Sequence, residues 1–64
     1  MQPYQERVVH EKEELDEKLS KLRLFFTSSI FSGLTEDEQE RLRVQENAMD
    51  KYSQVLGERL AHFA

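Results

Sequence analysis

The chain has no cysteine, one proline and two glycines in 64 residues. Without cysteine, neither a disulfide framework nor a thiolate metal site can hold it together, and a reducing compartment such as the cytoplasm is the expected setting. So few breakers leave room for little besides long helices. No run approaches the roughly 18 apolar residues of a membrane span, and no stretch resembles a signal peptide, so no membrane partner is expected. Cations are also in the minority. Nine Lys and Arg against 13 Asp and Glu give a net charge of −4, which argues against general nucleic-acid binding through a basic face.

What the sequence does have is heptad spacing. Pro3 suits the first position of a helix, where its missing N–H is not needed and its φ is already helical. Val8, Lys12, Leu15, Leu19, Leu22 and Phe26 then follow at alternate spacings of four and three, which places them on one helical face. Glu6, Glu13, Glu14, Glu17 and Lys21 occupy the other face, with Glu14–Lys18 and Glu17–Lys21 as i,i+4 pairs. The spacing predicts a first helix over about 3–27 and a turn over 28–34 that retains apolar residues. Thr35 and Glu38 read as a capping box opening a second helix over about 36–62. In that helix Leu42, Gln45, Met49, Tyr52, Leu56, Arg59 and Phe63 repeat the same spacing. Gly57 is its one internal breaker.

The expected fold is all-α: an antiparallel two-helix hairpin forming a single domain over 1–64. Two helices touch along only one seam, so Val9, Leu24, Phe25, Val44, Val55 and Ala61 stay partly uncovered in a single copy. A chain this short gains little from its own core. It is therefore expected to assemble with itself into a helical bundle, from dimer to hexamer.

Nothing in the chain forms a catalytic constellation. Its two histidines, His10 and His62, have no serine or cysteine nucleophile at a telling spacing, and no Gly-rich phosphate loop is present. His10 and Glu14 share a face but supply only two ligands, so neither a metal nor another cofactor is expected. Lys12, Gln45 and Arg59 are the polar members of the predicted seams. They either set register or, once copies assemble, line a boundary pocket, where the Arg59 guanidinium suits bidentate recognition of phosphate. Tyr4, Arg7, Arg59 and His62 should gather at the open end, with a ring to stack on a base and cations to hold phosphate. Lys18 and Lys21 form a second cationic patch beside the turn.

The pattern Arg7-Val8-Val9, Glu11, Glu14-Leu15, Lys18-Leu19, Lys21-Leu22, Phe25, Phe31, Leu34, Gln45, Met49, Tyr52, Leu56, Arg59-Leu60 resembles a widespread family of very small phage and prophage helical-hairpin proteins. It is also similar to the hairpin domain of the phage anti-defence sponges that sequester the cyclic-nucleotide signals of CBASS and Thoeris immunity. The resemblance implies a homo-oligomer in the cytoplasm of an infected cell. Such an oligomer holds a cyclic oligonucleotide or a cyclic ADP-ribose species between subunits without cleaving it. It further implies Tyr4 and Lys18 as ligand-binding residues, beside Arg7, Arg59 and His62 from the residue reading. The rival expectation is a protein-interaction module that docks its uncovered apolar helix face on a host defence protein and inhibits it.

Overall fold

The computed structural model describes residues 1–63, and every regular element among them is helical. Helix α1 spans Pro3–Phe25, a single turn α2 spans Ser29–Ser32, and α3 spans Glu36–Ala61. Pro3 is the first helical residue of α1, and the Gln2 N–H donates to the Gln5 side chain at 2.8 Å, so one free amide at that end is satisfied locally. The far end stops at Phe25, two residues short of the sequence expectation. Thr27 and Ser28 turn their hydroxyls onto the Leu24 and Phe25 carbonyls, at 2.7 Å each, and so offer the backbone an alternative to another helical turn.

The connection is structured. Ser28 caps α2 by accepting from the Phe31 N–H at 3.2 Å, and Phe31 is buried against Phe25 and Phe26, with centroids 6.0 and 4.9 Å away. The Arg43 guanidinium lies 5.3 Å over the same ring. From α3, the Gln39 amide donates to the carbonyls of Phe31 and Leu34, at 3.0 and 3.2 Å. Helix α3 starts as its cap predicts, with Thr35 Oγ1 accepting from the Glu38 N–H at 3.2 Å. The reciprocal half of the box is not made, because the Glu38 carboxylate pairs with Arg41 at 3.0 Å.

Contacts between the two long helices match the start of α1 with the end of α3. Tyr4 meets Phe63, Lys12 meets Ser53, and Arg23 meets Glu46 and Asp50. The helices are therefore antiparallel, in a body 47 Å long and 15 by 13 Å across. On α1 the seam is the expected one: Val8 and Leu19 are buried, and Lys12, Leu15, Leu22 and Phe26 are half-buried.

On α3 the seam is rotated from the expected stripe. Leu42, Met49, Leu56 and Phe63 face α1, but the positions between them are Glu46, Ser53 and Leu60. Gln45, Tyr52 and Arg59 point outward. Residues seven apart are common to both stripes, and neither alternative set is clearly more apolar. The polar groups of α1 make the choice, since Lys12 and Asp16 need Ser53, and Arg23 needs Glu46 and Asp50. Among the described residues Leu56 alone is fully buried.

Candidate functional site

Midway along the seam a closed polar triangle interrupts the apolar contacts. Lys12 Nζ donates to Ser53 Oγ at 2.7 Å and to Asp16 Oδ2 at 3.1 Å, while Ser53 Oγ donates to Asp16 Oδ1. Lys12 and Asp16 are one turn apart on α1, so both heads reach the same point on α3, where Ser53 is buried. The Ser53 hydroxyl and then the Lys12 ammonium hold the Asp16 carboxyl below the usual 3.8. Gly57, one turn beyond Ser53, lies under the Lys12 stem, and a Cβ there would sit 3.6 Å from Lys12 Cε. A serine beside a lysine has the ingredients of an activated nucleophile. Here the oxygen is buried between the helices, and the triangle ties α1 to α3.

A second salt link lies nearer the turn. Arg23 reaches Glu46 at 2.9 Å and Asp50 at 3.0 Å, and these two carboxylates raise the guanidinium pKa, Glu46 first. The group is solvent-exposed, so the link fixes geometry more than it adds stability. Asp16, Ser53, Arg23 and Glu46 were not singled out by the sequence reading. The available signal was Lys12 in a heptad position with an acid four residues later.

At the open end the Tyr4 ring packs edge-on against Phe63 with centroids 5.7 Å apart, and remains about half exposed. Arg7 lies one turn along α1 from Tyr4. Arg59 and His62 occupy the last turn and the cap of α3, both exposed, with His62 Nδ1 2.7 Å from the Glu58 carbonyl. Arg59 thus stands on the surface and not in the seam, for the rotational reason given above. Neither Arg7 nor Arg59 has an ion-pair partner among the described residues. The end therefore combines an aromatic edge with cations whose donors face water.

Residues 2–62 match the model of the Sequestin family. The chain belongs to the Sequestin family. The name points to the sequestration of a molecule. No curated protein and no solved structure matches the chain.

The remaining predicted residue of this Sequestin chain, Lys18, is exposed on α1. It lies fourteen residues from Tyr4, about 21 Å along the helix axis, so one copy does not bring these two residues together. Lys21 pairs with Glu17 at 3.1 Å, while Glu14 and Lys18 make no pair among the described residues. His10 faces Glu13 at 3.8 Å rather than Glu14. Among the described residues no cavity opens, no cluster of three or more potential metal ligands forms, and no helix is long and apolar enough to cross a membrane.

Proposed function

We propose that this Sequestin-family chain is a phage-encoded, non-enzymatic anti-defence protein that sequesters a cyclic nucleotide immune signal in the cytoplasm of the infected cell. The ligand class is a cyclic oligonucleotide or a cyclic ADP-ribose species, held where copies of the helical hairpin meet. The observation that carries the reading is the open end, where the half-exposed Tyr4 ring rests on Phe63. Around it, Arg7 and Arg59 present donors to solvent, and His62, whose Nδ1 donates to the Glu58 carbonyl, is exposed. The Tyr4 face suits a nucleobase, and a guanidinium suits a phosphate in bidentate geometry. Lys18 lies too far along α1 to serve the same site in one copy. The family's name supports sequestration in general, and the chemistry of the open end supports the nucleotide.

Isothermal titration against cyclic dinucleotides, cyclic trinucleotides and cyclic ADP-ribose isomers tests this directly. One class should bind and be recovered chemically intact after the protein is denatured. Tyr4→Ala should weaken that binding by roughly 5- to 150-fold, the range of about 1–3 kcal/mol for a lost stack. Arg59→Ala should weaken it as well. No binding by any member of the panel at high micromolar concentration overturns the reading, and recovery of a cleaved nucleotide overturns its non-enzymatic part.

A further inference from the structure

Helix α3 turns one face to α1 and keeps a second apolar face outward. Ala48, Tyr52 and Val55 recur there at spacings of four and three, with Val44 one turn before Ala48. Val44 is 57% exposed, Tyr52 45% and Val55 39%. Isolated apolar residues on a surface need no explanation, but a stripe at the spacing of a packed helix does. The dimensions of the molecule agree. Its accessible surface is 4917 Å², about 600 Å² more than a compact monomer of 7.6 kDa exposes. Its radius of gyration is 14.7 Å, against about 11 Å for a globular chain of this length. That surplus approaches the roughly 800 Å² per partner of a standard stable interface.

We propose that two copies of this chain pack α3 against α3, antiparallel, through Val44, Ala48, Tyr52 and Val55, centred at the level of Asp50. Two features select a second copy in this orientation. First, α3 begins with Glu36, Asp37 and Glu38 and ends with Arg59 in its last turn and His62 at its cap. An antiparallel pair sets each Glu38 within one turn of the level of the partner subunit's Arg59, which itself lies level with Arg41, twice over by the two-fold axis, and opposes the macrodipoles. A parallel pair stacks acid on acid. Second, this centring places the large Tyr52 opposite Ala48 of the partner subunit, the alternation of large and small that lets helices approach closely. Arg59 can serve both interface and ligand, since a guanidinium has five donors and a carboxylate occupies only one edge. The inference deepens the proposed function by naming the face on which copies meet, and rests on it only for the need of more than one copy.

Light scattering on the purified chain, together with three cysteine variants, tests the interface. The wild type should have the mass of two copies, or an even multiple, and Ala48→Arg should halve it while the helical circular dichroism is unchanged. In the antiparallel pair Val44 and Val55 of opposite copies lie side by side. On oxidation V44C/V55C should therefore give a covalent dimer, whereas V44C and V55C alone should not. A cross-link in V44C alone indicates a parallel pair and overturns the proposal, as do a monomeric wild type and an A48R variant of unchanged mass. Should A48R lose its helix, the cysteine pattern decides. An oligomer that takes up cyclic nucleotides but lacks the expected cross-link overturns this interface and leaves the proposed function standing. A dimer with the expected cross-link and no nucleotide uptake supports the interface and removes the function.

Discussion

Replacing Gly57 by alanine should stabilise the protein, and the reasons can be followed atom by atom. Gly57 lies inside α3, where glycine costs about 0.8–1.0 kcal/mol relative to alanine because the unfolded chain gains more freedom. The added methyl would lie 3.6 Å from Lys12 Cε, an ordinary van der Waals separation, so it neither clashes nor displaces the ammonium from Ser53. The gain should therefore be close to the full propensity difference, about 1 kcal/mol. With an unfolding entropy of about 2.1 cal/mol/K per residue, that raises Tm by about 7 °C for a chain of this length. Thermal unfolding followed at 222 nm, with both proteins at the same concentration because assembly shifts Tm, reads the effect. An unchanged or lower Tm refutes the reasoning. It would mean that the space above Gly57 is filled in solution by something other than the Lys12 stem.

Three further outcomes follow from the seam and its ends. Leu56, the fully buried side chain, should cost about 2–5 kcal/mol when cut to alanine, a Tm fall of about 15 °C or more; a fall of only a few degrees would remove Leu56 from the core. The Asp16 carboxyl titrates below 3.8 when folded, so the unfolded chain takes up its proton first. Its stabilising contribution is present above that value and is lost as pH falls through the lower folded one. D16N should accordingly be less stable than the wild type at neutral pH, with the gap closing below 3.8; a gap constant with pH, in denaturant titrations, contradicts the assignment. Thr35→Ala should cost about 1 kcal/mol and speed hydrogen exchange at the Glu38 amide, which loses its acceptor; unaltered Glu38 protection rules the cap out.

The all-helical character was legible in the sequence because each signal was local. Pro3 at the start of α1, the Thr35 cap and a seven-residue repeat each act within a few residues of the chain. The α1 seam was legible for the same reason, since Leu15, Leu19 and Leu22 leave its inward face in no doubt. The site was less so. Tyr4 and Phe63 could be brought together by counting residues along two helices of similar length, and the structure places them in contact. Lys12 could be read as a polar seam residue. Its partners Asp16 and Ser53 could not, because a serine in a stripe of mixed character carries no signal until the facing helix supplies a lysine and a carboxylate.

Sequence by itself determined that this chain makes helices, where they begin, and which face of α1 is apolar. Tertiary structure alone decided which face of α3 meets it. Residues 42, 49, 56 and 63 fit two stripes equally well, and the choice between Gln45, Tyr52, Arg59 and Glu46, Ser53, Leu60 depends on hydrogen bonds and ion pairs that span the seam. A periodicity fixes the pitch of a stripe, but its rotation is set by what it packs against. That rotation took Arg59 and Tyr52 out of the seam and onto the surface.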